Sequence, residues 1–209
     1  MKKLLIASGI IASILATSAF ADSQKRIVEN LTLSTDQSLD IKFPVGSVDI
    51  EIVDGDQLEI EIELKPQDSK WNSWFSSDKD LGSIKLDKNI SNSHVTLEID
   101  EDDLNQEWHI KVPRSAEIDI DLGVGSVEID NLSNSVEVDV GVGSVVIDTD
   151  TNDFKRIDLE SGVGDTRISG FSGDSSQKRQ MVSSSSAYTG SGLYRIEVEV
   201  GVGDVKVSN

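Results

Sequence analysis

The chain has 209 residues, with 38 acidic against 19 basic side chains, a formal net charge of −19 and no cysteine. Binding to nucleic acid or to an anionic membrane needs a basic surface, so this composition argues against both functions. Without cysteine the chain can form no disulfide and carry no cysteine-linked lipid, and its length fits one domain.

The first 21 residues have the three parts of a bacterial secretory signal peptide. Lys2 and Lys3 supply positive charge, residues 4–15 form an uncharged and mostly apolar run, and residues 19–21 form an Ala-Phe-Ala cleavage site. The apolar run is too short to cross a hydrocarbon core of about 30 Å comfortably. We predict cleavage after Ala21, which leaves a mature chain of residues 22–209 in the periplasm or secreted, without a membrane attachment.

A polar insertion at residues 66–81 contains three aromatic side chains, Trp71, Trp74 and Phe75. Aromatic residues on a loop can stack on sugar rings or anchor a protein partner. They can equally cover the open end of a stack of strands, which such folds require. The sequence leaves both roles open, a partner contact or a structural cover.

A glycine tetrad, Gly-Val-Gly-Ser or Gly-Val-Gly-Asp, recurs along the chain. Copies begin at residues 123, 141 and 162, which are 18 and 21 residues apart, and at residue 201, a further 39 residues along. A degenerate copy, Pro-Val-Gly-Ser, occupies residues 44–47, and residues 82–86 resemble the second half of a copy. Internal repetition at such a period is typical of stacked repeat folds.

Each tetrad lies between two segments in which apolar and polar residues alternate. Ile-Asp-Ile-Asp-Leu precedes the tetrad at residue 123, and Val-Glu-Ile follows it. Such alternation puts aliphatic side chains on one face of a strand and acids on the other, and glycine permits a sharp change of direction. One strand–corner–strand unit buries too little surface to fold alone, so neighbouring units must stack. The pattern predicts an all-β parallel β-helix, or β-solenoid, with repeats of about 20 residues; the alternative is an antiparallel β-sandwich with hairpins at the glycines.

The same pattern resembles a known family. The resemblance is carried by Val-Pro-Arg-Ser-Ala-Glu-Ile at residues 112–118, the following Gly-Val-Gly-Ser-Val-Glu-Ile, Gly-Ser-Gly at residues 190–192, and the final Gly-Val-Gly-Asp-Val. These segments are similar to the bacterial putative-adhesin repeat family, whose function is unknown and whose domains resemble the β-helical heads of auto-transporter adhesins. The resemblance covers most of residues 39–209. It implies an adhesin-like β-repeat domain and no catalytic residues.

Outward acids fall into two columns when the repeats are aligned on the first glycine of the tetrad. In a parallel stack the neighbours in a column are about 4.8 Å apart, and two such carboxylates repel each other by about 1 kcal/mol in water. The columns either form a solvated surface that keeps the chain soluble or bind cations, above all calcium, which prefers carboxylate oxygens. One column contains Asp119, Glu137, Asp158 and Glu197, and the other contains Asp121, Asp139, Glu160 and Glu199. Outward positions after the tetrad are mixed in charge, namely Asp49, Lys85, Glu128, Val146, Arg167 and Lys206.

Other candidate sites are weaker. His94 and His109 are the only histidines, and they could meet across neighbouring strands, but no third ligand marks a zinc site. Residues 172–192 are rich in serine and glycine and predict an irregular excursion. Because no nucleophile–base set emerges, we expect a non-enzymatic structural or interaction module with no cofactor and an unknown protein or glycan partner. The alternative is a cation- or glycan-binding periplasmic protein.

Overall fold

The computed structural model describes residues 24–35, 37–67 and 80–209. The predicted signal peptide, residues 1–21, lies outside this part of the chain. So do Trp71, Trp74 and Phe75, so the two roles considered for that aromatic cluster stay predictions.

The described residues form an all-β structure, as predicted. They contain one short 3-10 helix, Leu81–Ser83, and no α-helix, and none of their helices is long and apolar enough to cross a membrane. The strands are β1 (Lys25–Thr32), β2 (Ser38–Val53), β3 (Gln57–Pro66), β4 (Asp87–Ile90), β5 (His94–Glu98), β6 (Leu104–Pro113), β7 (Ile118–Leu132), β8 (Val136–Thr149), β9 (Phe154–Val163), β10 (Thr166–Ser169), β11 (Asp174–Gln180), β12 (Ser183–Thr189) and β13 (Tyr194–Ser208).

The repeat copies pair with one another in parallel and in register. Ile118 of β7 lies opposite Val136 of β8, and the second glycines of their tetrads, Gly125 and Gly143, are also opposite each other. β2 pairs with β7, and β13 with β8, in the same register. Identical positions of the repeat therefore form columns that run across the strands.

Each long strand turns back on itself at its tetrad. β7 contains 15 residues and would be about 50 Å long if it were straight. Only residues 133–135 connect it to β8, yet the Ile118 amide at its start donates to the carbonyl oxygen of Ser135 at 3.2 Å. Three residues reach no more than about 14 Å. The segments before and after the tetrads consequently form two half-sheets, which we call the first and the second half-sheet.

The spatial order of the copies differs from their order in the chain. β13 lies between β8 and β9, with Ile196 opposite both Val136 and Ile157. The 39-residue interval before the last tetrad corresponds to a hairpin, β11–β12, whose second strand pairs with the outer edge of β9. The last strand then returns to the gap between β8 and β9. Neighbours in the acid columns follow this spatial order.

The alternation of apolar and polar residues along the strands explains why the buried side chains form one continuous hydrophobic core. Ile118, Ile120 and Leu122 are buried before the tetrad of β7, and Val127 and Ile129 are buried after it. The phase of the alternation shifts by one residue at the tetrad, so both segments turn their aliphatic side chains toward the same cluster. The parallel centre is flanked by antiparallel strands, with β3 and β1 beyond β6, β4 beyond β5, and the hairpin beyond β9.

Two local predictions were wrong. The segment at residues 172–192 is mainly the β11–β12 hairpin and not an irregular excursion, because Ser184, Ser186 and Tyr188 alternate inward and are buried. Residues 82–86 are not a repeat copy. Leu81–Ser83 form a 3-10 helix, and the side chain of Asp80 caps it by accepting from the Gly82 amide at 2.9 Å.

Candidate functional site

The two predicted acid columns are present on the outer surface of the first half-sheet. Strand order places Asp119 beside Glu137, and Glu197 between Glu137 and Asp158. The outer acid column is therefore Asp119, Glu137, Glu197 and Asp158, and the inner acid column, nearer the tetrads, is Asp121, Asp139, Glu199 and Glu160. Lys85, predicted in the mixed column, lies outside the strands because residues 84–86 form no strand.

One end of each column lies beside a cation. Arg156 forms an ion pair with Asp158 at one end of the outer acid column, where the Nη2–Oδ1 distance is 3.1 Å. At the other end Asp40 is opposite Asp119, and Lys42 is opposite Asp121. Glu137 lies in the middle, between Asp119 and Glu197, where both neighbours carry the same charge. The outer acid column thus has a paired cation at its Asp158 end, whereas Asp119 and Glu137 each lie between two acids.

Partial burial, together with this crowding of like charges, raises the pKa of two carboxyl groups. Partial desolvation raises the pKa of Glu137 most, and the negative charges of Asp119 and Glu197 raise it further. The pKa of Asp119 is also raised, first by desolvation and then by Asp40, although the residue keeps exposed surface. Both groups therefore hold protons more readily than free carboxyls do.

A metal centre is not formed by the described residues. In these ranges no three or more His, Asp and Glu side chains come close enough together to hold a metal ion. The two histidines do not meet, because they pair with opposite halves of β2. His94 Nδ1 is 2.7 Å from Ser38 Oγ, and His109 Nδ1 is 3.0 Å from Asp49 Oδ2.

The second half-sheet carries the mixed charges that the sequence predicted. Asp49, Glu128 and Val146 lie opposite one another on β2, β7 and β8, followed by Lys206 and Arg167. A shallow depression of about 750 Å³ lies over β3, β6 and β2. Two of its side chains contact acids within it, His109 with Asp49, and Lys111 with Glu59 at 3.2 Å. Its charged groups are thus partly matched by one another.

A row of exposed valines at the tetrads was not predicted from the sequence. The tetrad valine lies between two glycines, outside the alternating pattern, and its side chain points into solvent. Val124 and Val142 are 48% and 47% exposed, and Val202 and Val163 are both 46% exposed. These four residues are adjacent in the register, and we call them the valine ridge. The signal in the sequence was the recurrence of valine where a turn requires only glycine.

Arg114 connects turns of three strands at the opposite edge, where the long strands begin and end. Its Nε is 3.1 Å from Asp54 Oδ1, and its Nη1 is 3.0 Å from Asp150 Oδ2 and 2.6 Å from Ser133 Oγ. The three partners follow β2, β8 and β7 respectively. Arg114 of the Val-Pro-Arg-Ser-Ala segment therefore links the turns that follow three neighbouring strands.

Proteins of known structure and one family are similar to this chain. A putative cell adhesion protein from Clostridium sporogenes ATCC 15579 is 14% identical, with a TM-score of 0.47, over 88% of this chain and 99% of that chain. A putative adhesin from Bacteroides fragilis NCTC 9343 is 12% identical, with a TM-score of 0.27, over 88% of this chain and 97% of that chain. No curated protein is significantly similar. The family described as the N-terminal domain of toast_rack, DUF2154, matches residues 18–169, and the chain therefore belongs to this family.

Proposed function

We propose that this chain is an exported, non-enzymatic interaction module of the adhesin-like kind, which presents a repetitive surface to a macromolecular partner. The observation that carries the proposal is the in-register pairing of β2, β7, β8 and β13. It repeats the same outward side chains on β7, β8 and β13, two acids, a glycine, a valine and a glycine, while β2 has Lys42 and Pro44 in place of the second acid and the first glycine. Repetition along a line suits an extended partner better than a small substrate, which a concave pocket encloses.

We also propose that the two half-sheets stack as a flattened β-solenoid. The support is the three-residue connection between β7 and β8, which brings the end of one bent strand back to the start of the next. A solenoid of this kind is rigid, because each strand is hydrogen-bonded to neighbours on both sides. Rigidity reduces the entropy lost when a partner binds. The relationship to auto-transporter heads stays a prediction within this proposal.

Export is part of the same proposal and is supported by the signal-peptide pattern of residues 1–21. Mass spectrometry of the protein from a periplasmic or secreted fraction should give a chain that begins at Asp22. A chain that retains Met1 in the cytoplasmic fraction would overturn the export step.

Attachment of whole cells tests the interaction step. A strain that lacks the protein should attach less to host or neighbouring cells, and the wild-type gene should restore attachment. A comparison variant is Gly125→Ala, which keeps the same signal peptide but should be destabilised, because its added methyl group meets the backbone of Gly46. Unchanged attachment of the deletion strain would contradict the proposed function.

A further inference from the structure

The exposed apolar side chains of this protein are concentrated along one edge. Nine large apolar residues of the described chain are exposed, and six of them lie on the valine ridge or at the tip of the β11–β12 hairpin, Met181–Val182. The Gly164 amide donates to the Val182 carbonyl oxygen at 3.0 Å, which places the hairpin tip directly beside Val163. The ridge and the tip therefore form one apolar strip. Its length is about 25 Å, because neighbouring strands of a sheet are about 4.8 Å apart.

The hairpin tip exposes its apolar side chains at a conformational cost. Met181 is 98% exposed and has a φ of +53°, and Val182 is 58% exposed. A tight turn with positive φ ordinarily uses asparagine or glycine, because a larger side chain is strained there. Neither burial nor backbone geometry explains methionine at this position. Contact with another molecule would explain an exposed methionine at this position.

A groove runs along one side of the valine ridge. The first glycines of the tetrads have no side chains and leave a depression of about 510 Å³ beside the ridge, and the inner acid column forms its far wall. These glycines are Gly123, Gly141, Gly201 and Gly162. On the other side of the ridge are the second glycines and then Ser126, Ser144, Asp204 and Asp165. A single row of valines beside this groove can fit between two rows of side chains on a partner.

The negative charge around this apolar strip indicates which kind of partner can bind to it. Four carboxylates line one side, and Asp204 and Asp165 lie on the other, where Arg179 pairs only with Asp165, at 2.6 Å. A second copy of the chain would bring carboxylates against carboxylates, and an anionic membrane would be repelled in the same way. A partner with aliphatic side chains bordered by lysine or arginine matches both features.

We propose that the valine ridge and the hairpin tip dock an amphipathic helix of a partner protein, with an aliphatic stripe flanked by Lys and Arg. Side chains three and four positions apart on a helix are about 5–6 Å apart, close to the valine spacing, and about 16 helical residues cover 25 Å. The inference deepens the proposed function, on which it rests, by naming the surface and the chemistry of the partner.

Fluorescence anisotropy tests this inference on the mature protein, with an 18-residue amphipathic Leu/Lys helical peptide as the probe. Val142→Thr/Val202→Thr keeps the β-branched shape but removes two ridge methyl groups, and should weaken peptide binding about tenfold. Val28→Thr is the matched control, because Val28 is 53% exposed but lies on β1, away from the ridge, and should bind as the wild type does. Asp139→Asn/Glu199→Gln leaves the ridge intact and should weaken binding and reduce its salt dependence.

Three results would overturn the inference. They are unchanged binding by the ridge variant, an equal loss in the Val28 control, and equally tight binding of a Lys/Ser peptide that has the charge but no leucine. Circular dichroism should show that every variant keeps the wild-type spectrum and melts no lower than the wild type does. The attachment assay separates the two proposals, since normal attachment by cells that carry Val142→Thr/Val202→Thr would reject the docking surface and leave the adhesin-like function intact.

Discussion

Gly203 lies so close to Gly143, sixty residues earlier in the chain, that a Cβ atom on Gly203 would be 1.5 Å from the carbonyl oxygen of Gly143. Gly125 stands in the same relation to Gly46, at 1.6 Å. Gly203 and Gly125 also have φ values of +145° and +151°, respectively. The second glycine of each tetrad is therefore required both by its own backbone and by the neighbouring copy.

Gly125→Ala should destabilise the protein by about 3 kcal/mol or more, because the added methyl group meets a backbone atom that cannot move without separating β7 from β2. Gly55→Ala is the matched control. Gly55 has a φ of +116°, but nothing lies within 4 Å of an added Cβ, so only about 1 kcal/mol of strain is expected. Urea denaturation measures both, and equal losses would show that stacking does not require the tetrad glycine.

The acid columns should make the protein more stable at mildly acidic pH than at pH 7. The pKa values of Asp119 and Glu137 are raised in the folded state, so folding favours their protonated forms. Their contribution is fully present below the unfolded-state pKa of about 4 and is lost as pH rises through the raised folded-state pKa. Thermal melting between pH 4.5 and 7 checks this.

Glu137→Gln isolates the column from the rest of the protein. It should raise the melting temperature at pH 7 by a few degrees, since two exposed neighbours repel by only about 1 kcal/mol and salt screens them. The gain should disappear near pH 4. Glu98→Gln serves as a control, because Glu98 is opposite Lys42 and loses an attraction instead of a repulsion. An equal gain in both variants would contradict the assignment to the column.

Calcium should stabilise the protein no more than magnesium does at the same ionic strength. Calcium prefers six to eight oxygen ligands, and no group of three or more candidate ligands converges in the described ranges. Both ions should act by screening the columns. Melting curves in chelator, calcium and magnesium make the comparison. A calcium-specific shift, with a saturable heat of binding that Asp139→Asn/Glu199→Gln abolishes, would establish the cation site instead.

Arg114→Ala should destabilise the protein by about 1–2 kcal/mol, because Asp54, Asp150 and Ser133 all lose a charged donor. Arg26→Ala is the comparison, since Arg26 forms a single surface ion pair with Glu61 and its loss should destabilise the protein much less. Chemical denaturation measures the difference. Equal effects would show that Arg114 does not hold the turns together.

A chain that stops after Ser169 should not fold cooperatively, although it includes the entire segment that matches the family. It lacks β13, which pairs with β8 on one side and with β9 and β10 on the other. Without it the edges of β8 and β9 are unpaired, and such edges aggregate. Solubility and a thermal melt check this. A soluble fragment with a sharp transition would mean that β8 and β9 pair directly.

The sequence was a good guide to everything that depends on local pattern. The alternation around Ile118–Asp119–Ile120 predicted which side chains are buried, and the tetrads predicted where each long strand bends. The acid columns followed from the same register. The hairpin at residues 174–189 was missed because its inward residues are mainly serines and not apolar residues. In the fold their buried hydroxyl groups form hydrogen bonds, such as the one between Thr166 Oγ1 and Ser186 Oγ at 2.7 Å.

By itself the sequence determined that the chain is all-β and that its copies stack with aliphatic residues inside, since both follow from side-chain spacing along a strand. Only the tertiary structure decided which copies are neighbours, and so placed β13 between β8 and β9 and Glu197 beside Glu137. It alone also revealed that the tetrad valines line up with Val182 on one edge. The physical reason is that every copy has nearly the same edges, so local chemistry permits several orders, and the long connection through the hairpin selects one.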